Sequence, residues 1–109
     1  MIDLTIKQYD LDEPVRATLL DNGVAVNLTG YDVYFVFSSN ATAPVFRRVC
    51  VVEDAAAGKV RYDWQAGDTA TAGFYFAEFE AVAQATGTRK TYPSSDYIRV
   101  QIVGGLGDS

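Results

Sequence analysis

Between Phe74 and Val82 the side chains alternate, with Phe74, Phe76, Glu78 and Glu80 on one side and Tyr75, Ala77, Phe79 and Ala81 on the other. A period of two puts successive side chains on opposite faces of an extended chain, so the stretch reads as a strand with one buried face. The period recurs along the chain. Ile2, Leu4 and Ile6 oppose Asp3, Thr5 and Lys7, and Val15, Ala17 and Leu19 oppose Arg16, Thr18 and Leu20. Val60, Tyr62 and Trp64 oppose Arg61 and Asp63, while Ile98, Val100 and Ile102 share a face within Asp96–Val103. Tyr31–Phe37 is almost continuously aromatic or β-branched. It reads as a central strand with Val33, Phe35 and Phe37 facing one way, Tyr34 and Val36 the other.

Turn signals separate these runs. Asp21-Asn22-Gly23 suits a tight hairpin, because Asn and Gly tolerate positive φ. A short strand is expected over Val24–Leu28, ended by Thr29-Gly30, and a longer strand-like run over Val45–Val52. Ser38–Pro44 is a loop of small polar residues, Glu53–Gly58 a turn whose alanines are too few to hold a helix, and Ala85–Thr88 a turn around Gly87. No segment sustains an i, i+3, i+4 pattern. Short strands punctuated by turns specify an all-β chain, read as an Ig-like antiparallel β-sandwich of about 7–8 strands. The 109 residues suit one sandwich domain over 1–103 with a flexible end at 104–109.

Composition narrows the chemistry. The chain has no histidine, which removes the commonest general base, the commonest zinc ligand and any Ser-His-Asp triad. Cys50 is the single cysteine, so an internal disulfide is excluded, and its place in Val49-Cys50-Val51-Val52 points to a buried thiol. With a net charge of −5 and only Arg47-Arg48 and Arg89-Lys90 as basic pairs, no basic stripe exists for nucleic acid. No run approaches the ~20 apolar residues of a membrane span, and no signal-peptide pattern opens the chain. Paired carboxylates remain to weigh for catalysis, for instance Glu78 and Glu80, which point the same way on one strand, although such pairs usually line a solvated face. The acidic loop residues Asp10, Asp12 and Glu13 lack the spacing of a calcium loop. No catalytic, cofactor-binding or metal residue is assigned.

The stretch Asp63–Phe79, DWQAGDTATAGFYFAEF, carries the only tryptophan into a polar run and out into the alternating strand. It reads as a corner between two sheets. Trp64 is in phase with Val60 and Tyr62 and anchors the core, and its indole N–H needs an acceptor. Asp68 caps the polar run and opens a possible single helical turn, and Gly73 leads into the strand. Tyr75 sends its hydroxyl back to upstream backbone, as Ig-like corners do. The competing reading makes Trp64 a sugar-stacking platform in a carbohydrate-binding module that attaches to a host surface.

Four pieces in order carry a family resemblance: IKQ at Ile6–Gln8, ATLLDNGVAVNLTGYDVYFVF from Ala17 to Phe37, EDAAAGKVRYDWQAGDTATAGFYFAEFEA from Glu53 to Ala81, and YPSSDYIRVQI from Tyr92 to Ile102. They span nearly the whole chain, and GKVRYDWQAGDTATAG is the most specific part. The chain resembles the N-terminal domain of the phage baseplate upper protein family and related small Ig-like phage tail modules. The resemblance implies a non-enzymatic virion structural protein, made in the bacterial host cytoplasm and assembled into a phage tail. Its implied partners are other tail or baseplate proteins, with several symmetric copies forming a homo-oligomer in the virion. Tyr31, Tyr34 and Tyr92 are the candidate partner contacts, expected to be exposed aromatics.

Overall fold

The computed structural model describes residues 2–39, 44–92 and 98–104. Among them lie eleven strands and no helix: β1 (Ile2–Lys7), β2 (Val15–Thr18), β3 (Leu20–Asp21), β4 (Val24–Ala25), β5 (Tyr31–Ser38), β6 (Pro44–Val49), β7 (Val51–Asp54), β8 (Lys59–Tyr62), β9 (Gly73–Ala83), β10 (Arg89–Tyr92) and β11 (Ile98–Val103). They form a six-stranded sheet in the order β1-β11-β9-β5-β6, with β10 also on β9. A three-stranded sheet β2-β8-β7 packs against it, and β3 and β4 form a separate hairpin. The long strand β9 is the spine. β5 follows one of its edges, while β11 takes residues 73–77 and β10 residues 79–82 of the other.

The alternation read from the sequence is the alternation of burial. Val33, Phe35 and Phe37 of β5, Ala77, Phe79 and Ala81 of β9, Val60 and Tyr62 of β8, and Ile98, Val100 and Ile102 of β11 are all buried. These inward rows face one another across the two sheets and make one core. Its centre is aromatic. Phe35 stacks on Tyr62 at 4.5 Å between centroids and Phe37 on Tyr75 at 4.6 Å. Trp64 stands edge-on to Phe35, Phe37 and Tyr62 at 5.5–5.8 Å. Offset and edge-to-face contacts of this kind contribute beyond the area they bury.

The strand count exceeds the expected 7–8 because the chain changes partner inside runs that look continuous. The run Val45–Val52 is two strands. β6 lies in the large sheet and β7 in the small one, and the step between them falls at Cys50, whose N–H still bonds the Val33 carbonyl at 2.7 Å. Phe46, Arg48, Cys50 and Val52 keep facing inward through the step, so the side-chain pattern conceals it. Val15–Leu20 is likewise divided at Leu19, and Val24–Leu28 shortens to β4. β10 leaves no strand signal in the sequence, because Arg89-Lys90-Thr91-Tyr92 has a single apolar residue and no alternation. The pairing of β1 with β11 is parallel, a departure from the antiparallel expectation. It joins strands near opposite ends of the sequence, so the long connection a parallel pair requires is nearly the whole chain.

Of the expected loops, the centre of Ser38–Pro44 lies outside the described residues, as do Asp96, Tyr97 and most of 104–109. The Asn22-Gly23 turn is present, with φ of 51° and 79°, the left-handed pair that a two-residue hairpin turn demands. Gly58 is tighter. At φ 69° a Cβ there would lie 2.8 Å from the Val26 carbonyl oxygen and 2.9 Å from that of Leu19. Backbone cannot yield as a flexible side chain does. Gly58→Ala should therefore lower unfolding free energy by about 2–3 kcal/mol, combining positive-φ strain with overpacking, seen as a lower urea midpoint at unchanged m-value. Gly87→Ala, with φ 73° but open space around it, should cost only the strain.

Candidate docking surface

The corner holds two side-chain devices, one expected and one not. Tyr75 donates its hydroxyl to the Thr71 carbonyl at 2.8 Å, the expected tyrosine corner. Asp68 does not open a helical turn. Its backbone N–H bonds the Gln65 carbonyl at 3.0 Å while its carboxylate reaches back to the Gln65 N–H at 2.8 Å, closing a turn over 65–68. The same carboxylate accepts from the Tyr62 hydroxyl at 2.6 Å and from the Arg48 guanidinium, which itself donates to the Tyr62 oxygen at 3.0 Å. Arg48 sits over the Phe46 ring at 4.3 Å. A cation thus faces inward from β6 into the core's polar end, and the sequence showed it only as half of a basic pair. The inward parity of Phe46 and Cys50 was the signal that could have found it.

Trp64 is buried, as the core reading required, so it offers no sugar-stacking platform. Its indole N–H has no acceptor among the described residues. The β1–β2 loop is stapled onto this corner. Tyr9 N–H bonds the Thr69 carbonyl at 3.2 Å, Gln8 Nε2 the Ala70 carbonyl at 2.7 Å, and buried Thr69 returns a bond to the Asp10 carbonyl at 3.3 Å. Asp10, Asp12 and Glu13 are exposed on that loop. No three His, Cys, Asp or Glu converge as a metal site among the described residues.

Among the thiol and the phenols, three groups hold their protons harder than in an unfolded chain. Burial pushes the Cys50 thiol up to about 12. Burial first, then the hydrogen bond to Asp68, raises the Tyr62 phenol against the opposing pull of Arg48, and burial also raises Tyr92. Each is neutral when folded, so in alkali the native state binds more protons than the unfolded one and stability falls as pH rises. This contribution is intact below the unfolded thiol and phenol values, about 8.5 and 10, and is lost as pH climbs through the folded ones. The urea midpoint should decline steadily above about pH 9, and Tyr92→Phe should make that decline shallower. A midpoint flat to strong alkali would contradict the assignment.

The outer face of the six-stranded sheet is open to solvent over much of its area. Cross-strand register aligns Val49, Tyr34 and Glu80 in one row and Arg47, Val36 and Glu78 in the next. Arg47 lies over the Tyr34 ring at 3.8 Å and donates twice to Glu80, at 3.0 and 2.5 Å, with Arg89 3.9 Å away. Glu78 and Glu80 do share the face, as expected. Glu80, however, is held by Arg47, and Glu78 is raised chiefly by burial and then by Glu80. The pair is part of a charged lattice on an open sheet.

Around this lattice the face is apolar at its margins. Phe74 at the start of β9 is 67% exposed, and Val45 and Val49 of β6 are exposed too. Of the three candidate aromatics, Tyr31 is exposed, Tyr34 is half-buried beneath Arg47, and Tyr92 is only 5% exposed. The expectation for Tyr92 is corrected. It occupies an inward position of β10, paired with buried Phe79, and belongs to the core. In sequence Phe74 is merely one member of an alternating strand, yet it is the most exposed large aromatic of the described strands.

Comparison with known proteins identifies relatives. A family model described as BppU N-terminal domain matches residues 2–92. A solved structure, the N-terminal domain of phage TP901-1 ORF48, superposes with a TM-score of 0.70 at 19% sequence identity, covering 92% of this chain and 83% of that one. At that identity the likeness is one of fold. No curated protein matches the chain.

Proposed function

The chain belongs to the BppU N-terminal domain family, the N-terminal domain of the phage baseplate upper protein, and from that premise we propose that it is a non-enzymatic docking module of a phage tail baseplate. Family membership across residues 2–92 is the observation that carries the reading. Its partners are other tail proteins, and it is held in several symmetric copies on the particle. The net charge of −5 disfavours self-association of the free chain at low salt, so the copies are organised by the partner.

The outer sheet face supports docking in physical terms. Phe74, Val45 and Val49 are large apolar groups left in water, flanking a charged lattice that fixes the orientation of whatever covers them. Tyr34 of β5 lies within the lattice and extends the candidate contact, whereas Tyr31, three residues earlier, has the parity of the inward row and lies outside it.

Antibody labelling of purified virions in electron microscopy tests the reading directly. Label on the tail is expected, and a protein found only in the soluble lysate would refute it. Phe74→Glu should leave the thermal midpoint within about 2 °C, since the site is exposed. It should lower incorporation into particles by at least about tenfold, the effect of burying an uncompensated charge at an interface. Full incorporation of the variant would remove this face from the contact.

A further inference from the structure

Among the described residues, the small sheet ends in a strand with one neighbour. β2 pairs with β8 from Val15↔Tyr62 to Thr18↔Lys59, and the Leu19 N–H continues that register to the Gly58 carbonyl at 2.8 Å. Bonded residues alternate along an antiparallel pair. Val15, Ala17 and Leu19 therefore turn their backbone groups toward β8, and Arg16 and Thr18 turn theirs away from it. No described strand lies on that side.

Two hollows open between the sheets along the same edge. One, of about 160 Å³, is bounded by Ala17 and Leu19 across from Phe79, Tyr92 and Ile98. The other, of about 340 Å³, lies between Leu4, Thr5 and Ile6 of β1 and the segment Glu13–Arg16, so its apolar walls are rimmed by Glu13 and Arg16. A cavity of ~150 Å³ lined by apolar groups is large enough for a benzene ring. The hollows follow one another along β2, one beside Val15 and one beside Ala17 and Leu19.

We propose that this edge is a docking groove for an extended segment of another protein, which adds to β2 as a fourth strand of the small sheet. Its inward side chains, two residues apart, fill the hollows with apolar groups, and its outward ones are acidic. An extended segment is required because the groove offers N–H and C=O groups with no partner strand among the described residues, beside spaced hollows that each present apolar side chains, the requirements of strand addition. Acidity follows from charge. Arg16 is 60% exposed at its side chain, and its one carboxylate partner among the described residues, Glu53 at 3.5 Å, is shared at 3.2 Å with Arg61, which also holds Asp63 at 2.8 Å. Lys59, across from Thr18, has no ion pair among the described residues. A second copy of this chain is a poor occupant. Its own β2 would bring another Arg16, and its Val15 and Leu19 are already buried in its own core, leaving the hollows unfilled.

The inference concerns a different surface from the outer sheet face and is tested on the 109-residue chain alone, so its failure leaves the virion experiment standing. The probes are acetylated heptapeptides of the form Thr-x-Glu-x-Glu-x-Thr, with x drawn from Val, Leu and Phe, read by fluorescence polarisation and amide NMR shifts. Saturable binding is expected, with the largest shifts at Arg16 and Thr18. Methylating the peptide amides that face β2 should weaken it at least about tenfold, and Arg16→Glu about fivefold. Ala17→Leu, which fills the smaller hollow from within, should also weaken it about tenfold. Because Arg16 is exposed, Arg16→Glu retains a folded protein if Ala17→Leu does not. Absence of saturable binding, equal affinity of the methylated peptide, or shifts confined to the outer face of the large sheet would each overturn the proposal.

Discussion

Replacing Asp68 with alanine is expected to lower the unfolding free energy by about 2–4 kcal/mol, one of the two largest losses any single substitution should cause in this protein. The carboxylate is 2% exposed at its side chain and serves the Arg48 guanidinium, the Tyr62 hydroxyl and the Gln65 N–H at once. Removing it strands a guanidinium, a buried hydroxyl and a turn N–H together, and unsatisfied partners cost more than the bonds themselves were worth. The upper end of the range is tempered by Arg48, which is 34% exposed at its side chain and recovers some hydration. Urea denaturation of Asp68→Ala, Arg48→Ala and the double variant checks it. A coupling energy of at least about 1 kcal/mol is expected, because the two groups act as a unit. Additive losses would mean that the pair is independent and the network reading wrong.

Phe35→Ala should cost about 3–5 kcal/mol, the range for emptying a buried phenylalanine site. Phe35 is fully buried, and the rings of Phe37, Phe46, Tyr62, Trp64 and Phe79 all lie within 4.5–6.2 Å of it. Five rings around one position cannot all collapse inward, so the cavity term adds to the lost transfer energy. Against a typical total of about 5–15 kcal/mol, the variant should be partly unfolded near physiological temperature. Its near-ultraviolet circular dichroism, dominated by these packed aromatics, should weaken accordingly. Val45→Ala, on the exposed side of the neighbouring strand β6, should stay within about 0.5 kcal/mol. Equal losses at both positions would contradict the assignment of the two faces.

These two variants differ in how far their importance could be read in advance. Phe35 is one of three inward residues in an alternating run, and the sequence identified it as core. Asp68 was recognised as a cap, but its bond to Arg48 was invisible, because twenty residues separate them and no local periodicity connects them. The sequence also puts Trp64 in phase with the core and sends the Tyr75 hydroxyl back along the chain; in the structure Trp64 is buried and Tyr75 donates to the Thr71 carbonyl. It misplaced Tyr92, since β10 has one apolar residue and its burial depends on where β9 puts its edge. The proposed docking surface is legible only as composition. Alternation shows that Phe74 and Phe76 share a face but not that the end of the sheet leaves Phe74 in water.

The sequence by itself determined the strands, the inward rows and the turns at Asn22-Gly23 and Gly87, because each depends on contacts among near neighbours: a two-residue side-chain period or a left-handed backbone. Only the tertiary structure decided which strands pair, where the chain steps from one sheet to the other at Cys50, which edges remain open, and which charges meet across the core. Those outcomes depend on groups far apart in the chain, whose meeting is set by the closure of the two sheets around one aromatic centre.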